Sequence, residues 1–266
     1  MTKYTLGDYT TGINPHILKE GVGRSGHVSS VSVFNILGPI MVGPSSSHTA
    51  GALRLARIAM HLLGHIPEEA EVIFPRGGSF ETSFRGHGSD KAIIAGLLGY
   101  RSFDPRIKNA YEYLAKEGTQ VKFKVRDFPK GFHPNTIRFV LRWQDKEIDM
   151  VGASVGGGNI RVTSVLGFPI DYDGTKDVIT VLAHDYPGLF VAVLRHISER
   201  GLEIYRALVE MPEKEDGTDP DMSYINIELK TRSDPDEELV EQIKQVKGVV
   251  GVRFIPKIRF AEEVVL

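Results

Sequence analysis

Residues 36–59 read ILGPIMVGPSSSHTAGALRLARIA, a turn followed by a run of small hydroxyl residues and then a helical pattern. Gly43 and Pro44 make the turn, and Ser45, Ser46 and Ser47 follow. Leu55, Ala56, Ala59, Leu62 and Leu63 then recur on one helical face, so an amphipathic helix is expected with its first turn near Ser47. The first amide N–H groups of a helix lack internal partners and the dipole is positive there, so this end suits a carboxylate or phosphate. Serine is also a preferred capping residue, and three serines alone are better read as an N-cap with a polar lead-in. His48 and Thr49 add a titratable group and a further hydroxyl at the same end.

Working outward, the 266-residue chain carries a formal net charge of −2 and has the composition of an ordinary globular protein of two domains. No basic excess points to nucleic acid, and no apolar run approaches the roughly 18 residues of a membrane span. Residues 1–30 lack a secretory apolar core, so a cytoplasmic protein is expected. The chain contains no cysteine, which excludes disulfides, thiolate catalysis and an iron–sulfur cluster held here through cysteine sulfur.

Residues 1–30 show no sustained periodicity and read as an irregular arm, with His16 and His27 as surface residues. Beyond the opening helix, Ala70 to Phe74 reads as a strand ended by Pro75. Gly86 and Gly88 flank His87, Ser89 or Asp90 supplies a cap, and Ala92 to Leu98 forms a short buried helix. A histidine between two glycines has little local packing, so something outside its loop must hold it. Asp104 and Pro105 start a further helix, with Ile107, Ala110, Tyr111 and Leu114 as its apolar stripe and Gly118 as its stop.

From Thr119 the period changes to two: Val121 to Val125, Ile137 to Leu141, Ile148 to Val155 and Ile160 to Leu166 read as strands, with Gly156, Gly157 and Gly158 as a turn. This half is expected to be α+β, helices beside a mainly antiparallel sheet. The polar segment Asp171 to Lys176 marks a boundary. After it come a strand at 178–183, a helix at 189–199, strands at 202–209 and 224–230, a helix at 235–246 capped by Asp234, and a strand at 249–255. The order is βαββαβ, a ferredoxin-like plan, with Met211 to Met222 as an exposed loop.

Histidine suits proton transfer because its ordinary pKa lies near working pH. His48, His87 and His133 sit in loops or at a helix start among small or hydrogen-bonding neighbours, and each is either a structural residue or a proton carrier on these grounds. The same residues lie in SSSHTAG, GHGSDKA, HPNTIRF and SVGGGNI, and in that order these motifs resemble the iron–sulfur L-serine dehydratases from Val31 to Leu166. The βαββαβ segment with Asp185, Tyr186, Pro187, Gly188 and Leu189 between its first strand and first helix resembles an ACT domain, which follows in the two-subunit form of that family.

The resemblance implies a β subunit. Residues 31–170 would form a domain of the allosteric-substrate-binding type, and residues 177–258 an ACT domain. A separate α subunit would carry the [4Fe–4S] cluster, in keeping with the absence of cysteine, and this chain itself would bind no metal. The implied reaction converts L-serine to pyruvate and ammonia through loss of the α-proton and β-hydroxyl, an open iron of the cluster taking the hydroxyl. By the same resemblance His87 and His133 are the acid/base pair. Ser45, Ser46, Ser47, His48 and Thr49 hold the substrate carboxylate or shape the subunit interface, Asp90 and Asn135 hold substrate, Asp185 to Leu189 receive an amino-acid effector, and the ACT domain pairs two β chains. Residues 1–30 are longer than the family's lead-in, and Asn159 stands where fused relatives place a bulkier residue.

Two other classes fit the residues. A non-catalytic regulatory protein would sense an amino acid with its second half. A metal-independent hydrolase would use Ser47 as nucleophile, although the serine run lacks the G-x-S-x-G setting.

Overall fold

In the first half, one helix laid along one strand determines where the later chemistry sits. The computed structural model describes residues 41–211, 221–230 and 237–258; the arm 1–30, most of the 211–222 segment and the Asp234 cap lie outside them. Ser46–Gly51 forms a π-helical turn that runs directly into α1, Ala52–Leu63. The sequence pattern leads to an α-helix from Ser47. The first turn is instead wider, a local departure that costs regular hydrogen bonding and recurs at functional sites.

The other elements of this half are β1 (Glu69–Pro75), α2 (Ser79–Ser83), α3 (Ser89–Leu97), a 3₁₀ turn (Pro105–Asn109) and α4 (Ala110–Glu117), followed by five strands. These are β2 (Gln120–Arg126), β3 (Thr136–Trp143), β4 (Lys146–Gly156), β5 (Asn159–Val165) and β6 (Phe168–Tyr172). The sheet order is β2-β1-β3-β4-β5-β6, with β1 and β2 parallel and the other pairs antiparallel. The short α2 and β6 carry too few periodic residues to be read from sequence; β6 takes in Asp171 and Tyr172, which the sequence reading assigns to the boundary segment.

Two close approaches fix α1. A β-carbon at Gly96 would run into the Leu53 carbonyl oxygen and stand 2.7 Å from Ala56 Cβ, so the α1–α3 crossing requires glycine there. On the sheet side, Leu55 Cδ2 lies 2.7 Å from the place of a β-carbon on Gly152, and Gly51 abuts Ser154. Gly152 and Ser154 are two apart on β4 and share a face, whereas Gly51 and Leu55 are four apart on the helix. Two strand residues advance about 6.6 Å and four helical ones about 6 Å, so the pairs stay in register along the contact. Leu53, Ala92, Ala95, Ile107, Ala110 and Leu114 fill the core beneath.

Ser89 and Asp90 do not cap α3, contrary to expectation. Gly88, in the left-handed region at φ 67°, occupies the cap position without a side-chain bond, and both Ser89 and Asp90 are buried in the first turn. Asp104 does cap as expected, accepting the Arg106 N–H at 2.9 Å.

The residues from Gly174 to Ile258 form a separate unit. It comprises β7 (Asp177–His184), α5 (Leu189–Glu199), β8 (Ile204–Glu210), β9 (Met222–Leu229), α6 (Glu237–Lys244) and β10 (Val249–Ile255). The strand order β10-β7-β9-β8, antiparallel throughout, is the ferredoxin-like βαββαβ fold. Leu189, Val193 and Ile197 recur every four residues on α5, as do Leu239 and Ile243 on α6. They pack on Ile179, Val181, Ile225 and Ile227 from alternate positions of β7 and β9. The chain is α+β in both units.

Candidate functional site

The serine run ends in a set of contacts centred on His48. Ser45 caps the π turn, its Oγ accepting the His48 backbone N–H at 3.1 Å and its carbonyl accepting the Thr49 N–H at 2.9 Å. His48 Nδ1 stands 3.1 Å from Ser47 Oγ and 3.4 Å from Ser45 Oγ, so the imidazole is held from below by two hydroxyls. Ser46 is the first residue of the turn between them. One side of the His48 ring meets Phe80 with centroids 4.9 Å apart; the His87 ring approaches at the same distance, edge to face at 83°.

This arrangement supplies what the glycine-flanked His87 lacks locally. Thr49 Oγ1 donates to the His87 carbonyl at 3.2 Å, and the His87 N–H donates to the Ser83 carbonyl at 3.0 Å. Thr49 itself is buried, and Gly43, at φ 145°, clears its side chain: a β-carbon on Gly43 would lie 2.9 Å from Thr49 Oγ1. Burial, and then the neighbouring His87, hold the His48 pKa below its ordinary value. An imidazole lowered in this way is neutral near pH 7 and free to accept a proton.

His133 lies in the β2–β3 loop. Its Nδ1 is engaged by the backbone N–H of Asn135 at 3.1 Å rather than by another imidazole, which leaves Nε2 as the protonated nitrogen of the neutral ring. Burial lowers its pKa as well. The loop is tied to the site's supports: the Pro134 carbonyl accepts the Ser79 N–H at 2.8 Å, Asn135 Nδ2 donates to the Ser154 carbonyl at 3.2 Å, and the Ser154 N–H donates to the Asn135 carbonyl at 3.1 Å. Thus α2 joins the histidine loops, since Ser79 holds the His133 loop, Phe80 packs on His48 and Ser83 holds His87.

Asp90 accepts the Tyr111 hydroxyl at 2.8 Å through Oδ2, while its buried Oδ1 has no protein partner. Burial, with the Asp90 bond second, raises the Tyr111 pKa to about 12, so it remains a donor. Tyr111, Phe80 and Ser154 belong to the site's support, and the sequence reading assigned none of them to the site: Tyr111 reads as one residue of an apolar stripe, nothing local marks Phe80, and Ser154 opens the SVGGGNI motif without a role of its own.

In the second unit, the Asp185 N–H donates to the Asp221 carbonyl at 2.6 Å and the Leu189 N–H to the Tyr186 carbonyl at 3.1 Å. Pro187 lies between them, and Gly188, at φ 102°, enters α5 in the left-handed region. The Tyr186 ring lies beside Gly248, and Leu189 is buried in the core.

Among the described residues, no three His, Cys, Asp or Glu side chains are grouped to hold a metal ion, and the whole sequence has no cysteine. The donor set does not fit a cysteine-ligated cluster. No described helix is long and apolar enough to cross a membrane.

The fold and site therefore define an α+β protein with a histidine- and serine-lined turn and an appended ferredoxin-like unit. The family model described as "Serine dehydratase beta chain" matches residues 32–164. The chain is 34% identical over 221 residues to a probable L-serine dehydratase beta chain of Bacillus subtilis, covering 83% of this chain and 96% of that one. It is 35% identical over 161 residues to the L-serine dehydratase beta chain of Peptoniphilus asaccharolyticus, 60% of this chain and 70% of the relative. The chain belongs to the serine dehydratase beta chain family. Among solved structures, the ACT domain of a GTP pyrophosphokinase from Chlorobium tepidum aligns with 30% of this chain and 97% of its own length, at 17% identity and a TM-score of 0.24.

Proposed function

We propose that this chain is the β subunit of an L-serine dehydratase, a cytoplasmic lyase that converts L-serine to pyruvate and ammonia with an α subunit carrying a [4Fe–4S] cluster. The observation that carries the reading is the His48–His87 ring pair closed over the serine-rich turn. It gathers two imidazoles, three serine residues and Thr49 at one helix start. The substrate carboxylate is received by the Ser45–Thr49 turn. His87 and His133 move the protons, taking the weakly acidic α-proton and returning one to the departing group, while Asp90 and Asn135 orient the substrate. The cluster is assigned to the partner because this chain has no thiolate to hold it.

The βαββαβ unit takes the regulatory part, pairing two β chains along an edge strand and binding an amino acid at Asp185, Tyr186, Pro187, Gly188 and Leu189. The strand-to-helix entry at Gly188 supports that choice, since the start of α5 is the positive end of its helix dipole and suits a carboxylate.

The test is anaerobic assay of pyruvate formation from L-serine. The purified chain alone is expected to be inactive and the reconstituted pair active. Turnover by the iron-free chain alone would overturn the assignment of the cluster to a partner, and an inactive, cluster-loaded pair would overturn the reading as a whole. Calorimetric titration of amino acids into the full chain tests the regulatory part; no heat from any of them leaves the unit without a ligand.

A further inference from the structure

The helical run from Ser46 to Leu63 contains one glycine, Gly51, at the junction between the π turn and α1. Its backbone is right-handed helical, φ −65° and ψ −42°, so no conformational demand calls for glycine there. Alanine is the better helix former at such a position. The reason for glycine is across the interface. A β-carbon on Gly51 would penetrate Ser154 Oγ and lie 2.7 Å from Ser154 Cβ, whereas Ser154 Cα is 3.7 Å away.

Ser154 is fully buried, and its Oγ has no hydrogen-bond partner. Its backbone is bonded in both directions to Asn135, the residue whose N–H engages His133 Nδ1. On the other side, Gly51 ends the turn that carries His48. One side chain thus stands between the loop of one imidazole and the turn of another.

We propose that the Gly51–Ser154 contact is a positioning pair that sets the depth of the His48 turn against the His133 loop, so that neither residue meets substrate but both decide how the histidines are presented. The proposal rests on the serine dehydratase reading for its kinetic consequence only; the geometric consequence stands without it. Adding one methyl at Gly51 must lift the turn off β4. That movement changes the His48 packing on Phe80 and His87 and leaves the fold of the second unit untouched.

The test is a size exchange read in two ways. Gly51→Ala is expected to lower kcat of the reconstituted enzyme by at least 10-fold, and to shift the His48 ring-proton resonances of the full chain, which feel the Phe80 ring at 4.9 Å. In the double variant Gly51→Ala/Ser154→Gly, the clashing Oγ and Cβ are gone and position 154 meets the new β-carbon through its Cα at 3.7 Å, an ordinary contact. It is expected to restore kcat to within about 3-fold and return the resonances to their wild-type positions. Ser154→Gly alone removes the spacer without adding a clash, and is expected to shift the His48 resonances and lower kcat less than Gly51→Ala does.

Three results overturn the proposal: unchanged His48 resonances in Gly51→Ala, a double variant that remains unfolded or impaired, or a Ser154→Gly variant as damaged as Gly51→Ala. An inactive wild-type complex whose resonances nonetheless follow the size exchange would overturn the functional reading and keep the positioning pair.

Discussion

The two units are built to different standards of regularity. In the second, α5 and α6 present clean four-residue repeats to alternate positions of β7 and β9, and the core of Ile179, Val181, Val193, Ile225 and Ile227 follows from pattern alone. In the first, the helix on which everything rests opens with a π turn, and a buried aspartate stands in the first turn of α3. Polar atoms of Ser89, Asp90, Asn135 and Ser154 are buried there without protein partners, as are those of Ser223 and Asn226 in the second unit. An unmatched buried polar group costs about 1–3 kcal/mol, so such features persist where another demand offsets them. What sets the first unit apart is the π turn that carries His48, a break in regular helical bonding at the end where side chains are presented.

The largest expected effect tests that contrast directly. His87→Ala or His133→Ala should lower kcat of the reconstituted enzyme by a factor on the order of 10² or more, the scale of a lost acid/base group. A bulky replacement at Gly188 should leave kcat without effector nearly unchanged and alter only the response to an added amino acid. Full activity in both histidine variants would show that the irregularity of the first unit serves packing instead.

Glycine substitutions sharpen the comparison at the level of stability. Gly96→Ala forces a β-carbon into the Leu53 carbonyl and should cost about 1–3 kcal/mol in denaturant unfolding. In the second unit, Gly251 has open space around the same position, so Gly251→Ala should change stability by less than about 0.5 kcal/mol. Equal losses at the two sites would remove the distinction in packing tightness.

His61, on α1, offers a pH test. Burial, followed by the nearby Arg57 charge, lowers its pKa to about 4. Because the folded pKa lies below the unfolded value of 6.5, the unfolded chain takes up this proton first as pH falls. The contribution is present in full above pH 6.5 and is lost on descent from there to about 4. Between pH 7 and pH 5 this site should cost the wild type roughly 2 kcal/mol. His61→Gln should remove that part of the pH dependence while keeping kcat, and an unchanged slope of stability against pH would show that His61 is not the group responsible.

A single hydrogen bond supports Asp90. Tyr111→Phe deletes one hydrogen bond to a carboxylate and should destabilise the chain by about 1 kcal/mol, with a larger effect on KM than on overall stability if Asp90 touches substrate. A variant with unchanged KM and reduced stability would leave Asp90 a structural residue.

The amino-acid sequence by itself determined the class of the protein: period-two runs such as Val121 to Val125 and Ile137 to Leu141 became strands, the four-residue repeats became helices, and the ordered motifs around His48, His87 and His133 led to the serine dehydratase beta chains. The absence of cysteine, a property of composition alone, excluded a cysteine-held cluster. Those features depend on neighbours within a few residues, and local pattern carries them. The meeting of His48 with His87 and Phe80, the bond from Tyr111 to Asp90, and the fit of Gly51 against Ser154 join residues from 21 to 103 positions apart in sequence. No periodicity encodes such pairs. They were decided only when α1 settled along β4 at the one register where glycine and side chain alternate to let the backbones touch.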